Sequence, residues 1–195
     1  ISNGETLLHI AVREGWLDVV KPLLSNERVN PDQASIVDGR TPLYIAVQKG
    51  WLDHIEALLS DERVNPNQVI SNGETLLHIA VREGWLDIVK ALLSDERVNP
   101  NQVIFNGETL LHIAVREGWL DIVKALLSDE RVNPNQVIFN GETLLHIAVR
   151  EGWLDIVKAL LSDERVNPNQ VIFNGETLLH IAVREGWLDI VKALL

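Results

Sequence analysis

Short apolar clusters and polar breaks alternate along the chain at a fixed period, and one period, residues 105–138, shows the pattern. Asn106-Gly107 opens it and predicts a tight hairpin turn with positive φ at both centres. Thr109 follows as a helix N-cap, its hydroxyl free to accept a backbone N–H of the first turn. Leu110, Leu111, Ile113, Ala114 and Val115 then predict a short helix that is apolar around most of its circumference. Gly118 ends it, because glycine takes the left-handed conformation past a helix C-terminus at little cost. A second helix is expected over residues 120–127, with Asp121 in its first turn where the helix dipole favours negative charge. Trp119, Val123, Leu126 and Leu127 stand at i, i+4, i+7 and i+8 and predict one apolar stripe. Asn133-Pro134-Asn135 breaks the helix and returns the chain to the next turn. Neither helix can bury both apolar sides alone, so neighbouring periods must stack. The expected fold is an all-α solenoid of helix-turn-helix repeats joined by hairpin-like loops.

Tryptophan marks the repeat directly: Trp16, Trp51, Trp85, Trp119, Trp153 and Trp187 are 35 residues apart at the first step and 34 at each later one. The stretches from Phe105 and Phe139 are identical over 34 residues, and the one from Ser71 differs only at its first residue. The expectation is a single domain over residues 1–195, with repeats at about 2–36, 37–70, 71–104, 105–138, 139–172 and 173–195. Repeats one and two diverge most, as Pro22, Asp38 and Tyr44 show. The chain opens at Ile1 in mid-motif and reads as a trimmed fragment.

Composition narrows the function. With 28 acidic against 17 basic residues and a formal charge of −11, the chain lacks the clustered cations that a duplex or an anionic membrane would require. No nucleic-acid or membrane partner is expected. There is no cysteine, which removes disulfides, zinc–thiolate sites and thiol nucleophiles and fits a reducing compartment. A cytoplasmic location is the expectation. No apolar run approaches the roughly 20 residues that span a bilayer.

The run Gly107-Glu108-Thr109-Leu110-Leu111-His112-Ile113-Ala114, then Gly118, Val123 and Leu126-Leu127, resembles the ankyrin repeat. Gly39-Arg40-Thr41-Pro42-Leu43-Tyr44-Ile45-Ala46 is closer still, because it keeps the proline after the threonine. The period also suits tetratricopeptide repeats. Their tryptophan precedes a Leu-Gly pair and a tyrosine, which Trp119-Leu120-Asp121-Ile122 does not supply. Three departures stand out from the ankyrin pattern. Leucine replaces the proline in all repeats but the second, tryptophan stands after the inter-helix glycine, and Asp129-Glu130-Arg131-Val132-Asn133 replaces a Gly-Ala-Asp stretch. The near-identity of the copies also admits an engineered or consensus-like array. The resemblance implies that fingers and first helices form a concave binding surface. It also implies that the repeated histidine hydrogen-bonds near the capping threonine.

Among chemically suggestive residues, His9, His78, His112, His146 and His180 form a ladder. Equivalent atoms sit a whole repeat apart, too far for one zinc ion with bonds of about 2 Å. His54 lies outside the ladder and reads as a solvated or partly packed helix residue. A Ser-His-Asp triad needs one asymmetric constellation, whereas each candidate here is copied with its surroundings. No catalytic residue, metal ligand or cofactor is expected. The tryptophans read as packing between repeats. Phe105, Phe139 and Phe173 precede the Asn-Gly turns and are either exposed binding aromatics or contacts between fingers.

Charged residues complete the candidate face: Glu108, Arg116 and Glu117 in repeat four, and Glu142, Arg150 and Glu151 in repeat five. Repeat two carries Arg40, Gln48 and Lys49 instead, a more positive patch in an acidic setting. The expected function is a non-catalytic scaffold that binds another protein through turn tips and first helices. The alternative is an engineered or structural array with no evolved partner. The last helix repeats the interior pattern in Leu188-Asp189-Ile190-Val191-Lys192-Ala193-Leu194-Leu195, so head-to-tail self-association through uncapped ends is a further expectation.

Overall fold

The computed structural model describes residues 4–70, 73–138, 141–172 and 175–195. Among them are twelve helices of seven or eight residues. In chain order they are α1 (Leu7–Arg13), α2 (Leu17–Leu24), α3 (Pro42–Lys49), α4 (Leu52–Leu59), α5 (Leu76–Arg82), α6 (Leu86–Leu93), α7 (Leu110–Arg116), α8 (Leu120–Leu127), α9 (Leu144–Glu151), α10 (Leu154–Leu161), α11 (Leu178–Glu185) and α12 (Leu188–Leu194). One isolated antiparallel bridge, Val69 to Thr75, is the only extended pairing among the described residues.

Helices this short are not stable alone, so packing must hold them. The chain divides into two compact units, Ile1–Ile70 with Thr75–Asn99, and Ser71–Glu74 with Pro100–Leu195. In the first unit, α1, α3 and α5 stack in one row and α2, α4 and α6 in a second. In the second unit, α7, α9 and α11 form one row and α8, α10 and α12 the other. Leucine, alanine and valine of the first helices meet the second helices in each core. Leu43, Ile55 and Leu58 are fully buried in the first unit, and Leu111, Val115 and Leu126 in the second. Each such side chain contributes about 1.5–3 kcal/mol by leaving water.

The helix limits follow the expected chemistry. Thr109 is extended at φ −97° and ψ 173° and caps α7, and Asp121 lies in the first turn of α8. Gly118 takes φ 75° just past the end of α7, where a Cβ would sit 2.9 Å from the Trp153 ring.

Three local expectations are corrected. The buried stripe of α8 is Ile122, Val123 and Leu126, with Leu127 only half-buried and Trp119 exposed. The same three positions are buried in α6 and α10, as Ile88, Val89 and Leu92 and as Ile156, Val157 and Leu160. His54 is buried, not solvated, and its ring lies 5.0 Å from that of Trp51. At the finger, the Gly107 N–H donates to Ile104 at 2.9 Å and the Ile104 N–H to Glu108 at 3.0 Å. Gly107 alone has positive φ there, at 82°, and among the described residues no non-glycine does. This is a turn followed by a left-handed glycine, which leaves Asn106 unstrained.

Candidate functional site

The finger residue at the start of the first helix is met by a residue at that helix's end. In repeat four the Asn106 side chain accepts the Glu108 N–H at 3.1 Å, fixing the finger, and Glu108 lies almost buried at 6% exposure. Arg116, at the far end of α7, reaches back to form an ion pair with Glu108. Arg150 pairs with Glu142 in the same way, and Arg13 with Glu5 and Arg184 with Glu176. The adjacent Arg-Glu neighbours are looser: Arg150 stands 3.6 Å from Glu151. The carboxylate closed beneath each arginine is therefore the finger glutamate, while Glu117 and Glu151 face solvent.

Repeat two reverses this chemistry on the same backbone. Arg40 replaces the finger glutamate and Gln48 the helix-end arginine, and the Arg40 guanidinium donates to Gln48 Oε1 at 3.2 Å. Arg40 also pairs with Asp38 at 3.3 Å and lies 5.3 Å above the Tyr44 ring. Lys49 is exposed, its Nζ 6.0 Å from the Trp51 ring centre.

The histidine ladder is structural. Thr109 Oγ1 lies 2.8 Å from His112 Nδ1, and the Thr109 N–H donates to the same nitrogen at 3.3 Å. A backbone N–H can only donate, so Nδ1 is unprotonated and the ring carries its proton on Nε2. In repeat one that Nε2 reaches the Arg40 carbonyl of the next repeat at 3.0 Å. Burial lowers the pKa of His112 to about 4, and the Gln136 backbone opposes this only in part. Burial also lowers His146, with Glu142 pulling the other way. Such neutral, fixed imidazoles cap helices and are poor general acids at neutral pH. No group of three or more His, Asp or Glu side chains is placed to hold a metal among the described residues.

Phe105 is 76% exposed, one edge lying over Gly73, whose added Cβ would meet the ring at 3.2 Å. Its counterpart in repeat two, Val37, is equally open, as is Val69 in part. Phe139 and Phe173 lie outside the described residues. No described helix is long and apolar enough to cross a membrane.

A family model for ankyrin repeats, in three copies, matches residues 1–70, 62–137 and 130–195. The chain belongs to the ankyrin repeat family. No curated protein sequence matches it. Among solved structures, it is similar to EF0377, an ankyrin repeat protein, at 26% identity and a TM-score of 0.83, covering 96% of this chain and 95% of that one. It is also similar to the ankyrin repeat domain of Bcl-3, a member of the IkappaB protein family, at 27% identity and a TM-score of 0.85, covering 98% and 86%. The fold is an all-α ankyrin solenoid.

Two of the three departures from the ankyrin pattern, the tryptophan and the Asp-Glu-Arg-Val-Asn stretch, join one repeat to the next. Arg165 forms a two-point ion pair with Asp163 and donates to the Leu127 carbonyl at 2.6 Å and the Val132 carbonyl at 3.1 Å. It thereby satisfies the free C-terminal end of the preceding repeat's second helix. Arg63 and Arg97 do the same for Leu24 and Leu59. Asn135 adds a two-way clamp, giving Nδ2 to the Arg165 carbonyl at 2.6 Å and taking the Asn167 N–H at 2.9 Å. Trp51, Trp85, Trp153 and Trp187 each lie against the inter-helix glycine of the preceding repeat. Trp153 covers Gly118 and Trp187 covers Gly152, and both stay 40% exposed. The sequence pattern missed the arginine and asparagine joints. Their one signal was the recurrence of Asp-x-Arg and Asn-Pro-Asn at the repeat spacing.

Proposed function

We propose that the chain is a non-catalytic protein-binding array whose contact face is built from finger tips and first-helix ends. The candidate contacts are Arg40, Gln48, Lys49, Phe105, Glu108, Arg116, Glu117, Phe139, Glu142, Arg150, Glu151 and Phe173, all in one ankyrin domain over residues 1–195. What supports the reading is the exposure of Phe105, a large aromatic left open beside the ordered Glu108–Arg116 pair. An exposed aromatic on the finger that also carries the Glu108–Arg116 pair suits a binding hot spot. Solved ankyrin proteins are similar to the chain over nearly all its length, and such repeats generally serve as interaction modules. A cytoplasmic site remains part of the proposal, resting on the absence of cysteine from the sequence. Partners are other proteins at this face and, at the end faces, a second copy of the chain.

A pull-down from lysate, followed by mass spectrometry, tests the face. The control carries Phe105→Ser, Phe139→Ser, Phe173→Ser, Arg40→Glu and Lys49→Glu. A partner held by the parent and lost by a folded control is the expected result. Equal capture by both would place binding elsewhere, and no capture by the folded parent would favour a structural array.

A further inference from the structure

We infer that Asn106, at the finger tip of repeat four, is a site of intramolecular deamidation, in which its carboxamide closes onto the backbone nitrogen of Gly107 and releases ammonia. Closing that ring needs a backbone N–H that can lose its proton, a following residue with no side chain in the way, and an activated carboxamide carbon. Asn106 is exposed, and Gly107 brings no Cβ against the ring. The Glu108 N–H donates to Asn106 Oδ1 at 3.1 Å. That bond draws electron density from Cγ and stands ready for the negative charge that gathers on Oδ1 during attack. One bond opposes the step: the Gly107 N–H is held by the Ile104 carbonyl at 2.9 Å and must first let go. The finger lies outside the helical core, where such local openings are least costly. Two asparagines of the same stretch lack these features. Asn99 precedes Pro100, whose nitrogen has no proton to lose. Asn101 is clamped at both ends, its Nδ2 donating to the Arg131 carbonyl at 2.6 Å and its Oδ1 accepting the Asn133 N–H at 2.8 Å.

In the step itself a solvent base removes the Gly107 amide proton, the nitrogen bonds to Asn106 Cγ, and the Cγ–Nδ2 bond breaks as ammonia leaves. Water then opens the cyclic imide. Opening at Cγ restores the backbone and gives aspartate, whereas opening at the backbone carbonyl carbon leaves the chain running through Cγ as isoaspartate. For each ammonia released, a water is consumed. Repeat two already carries the aspartate form. Asp38 stands in the place of Asn106, and its Oδ1 accepts the Arg40 N–H at 3.2 Å. There the residue two places on is a cation, and Arg40 pairs with Asp38 at 3.3 Å. In repeat four that residue is Glu108, 6% exposed, so an aspartate at position 106 sets a second carboxylate beside a nearly buried one. The aspartate product therefore keeps the turn and adds negative charge to the candidate face, while isoaspartate lengthens the backbone of the finger. The same Asn-Gly-Glu run recurs at residues 3–5, 72–74, 140–142 and 174–176, with its asparagines outside the described residues.

Ageing the full chain in warm, mildly alkaline buffer, followed by tryptic peptide mapping, tests this. Val103→Ile marks the peptide of residues 98–116, which otherwise has the same sequence as those of residues 132–150 and 166–184. The marked peptide should exchange an amide for an acid at Asn106 and keep Asn99 and Asn101 intact. Fragmentation that separates the two acids should find more isoaspartate than aspartate, with ammonia appearing in step. The rate should rise about tenfold per pH unit, as the anionic share of a very weak acid does. Asn106→Gln, whose longer side chain would have to close a larger ring, should leave the marked peptide unchanged over the same time. An Asn106 that lasts as long as Asn101 in the folded chain would overturn the inference. So would conversion to aspartate with no isoaspartate, or a marked peptide that still turns acidic in Asn106→Gln.

Discussion

Repeats two and four share a backbone and the whole polar stretch after the second helix, and differ in the polar groups of the finger and first helix. In repeat four a buried histidine caps with Thr109, and Glu108 is closed by Arg116. In repeat two Tyr44 stands in the histidine's place and Thr41 donates instead to Gln68 Oε1 at 2.6 Å, while Gln68 Nε2 donates to the Gly39 carbonyl at 2.9 Å. Pro42 pre-sets the first helical φ there. Arg40 and Gln48 exchange roles with the Glu-Arg pair. The lesson is that the frame depends on apolar volume and on helix limits, whereas each polar requirement can be met by whichever side chain reaches it. Charge on the face is consequently free to differ from repeat to repeat.

If the frame is common, emptying it should cost the same in both places. Leu43→Ala and Leu111→Ala each remove a fully buried leucine, and each should cost about 2–5 kcal/mol in urea unfolding. A clear inequality between them would mean that the polar dressing shares in the frame. The histidine separates the repeats by pH. With His112 held near 4 when folded and near 6.5 when unfolded, the unfolded chain binds the extra proton between those values. Stability from this group is therefore complete above pH 6.5 and falls as pH drops towards 4, by about 3 kcal/mol in all. His112→Tyr, which installs the residue of repeat two, should flatten the urea midpoint between pH 7 and pH 4.5. An unchanged slope would assign it to other groups.

Smaller effects sharpen the polar side of the comparison. Glu108→Arg alone sets two cations together and should cost about 1 kcal/mol, and adding Arg116→Gln, as in repeat two, should recover most of it. A double-mutant cycle with no coupling would show that the pair is decorative. Gln68→Ala should cost about 1 kcal/mol by freeing the Thr41 hydroxyl, read as the same shift in urea midpoint.

Much of the frame was legible in the sequence, because it rests on neighbours a few residues apart. Thr109, His112 and Gly118 lie within a single helix and its flanks, so capping and termination could be read from order alone. The candidate face was legible in outline only. Arg116 and Glu108 could be named, but not that the glutamate would be buried under an arginine eight positions later. The tryptophan spacing marked the repeat. Its position matched the apolar stripe numerically, yet Trp153 sits ahead of α10 as its N-cap, where the ring lies against Gly118 and stays 40% exposed.

By itself the sequence determined the period, the two helices of each repeat and the need for neighbours to stack, since local conformational preference and an unburied apolar face are properties of a short stretch of chain. Tertiary structure alone decided how one repeat is fastened to the next. Arg165 meets carbonyls 33 and 38 residues earlier, and Asn135 meets backbone 30 and 32 residues later. Partners so distant in sequence are brought within hydrogen-bonding reach only after the helices have packed, and which carbonyls are left free for them is set by where each helix ends in space.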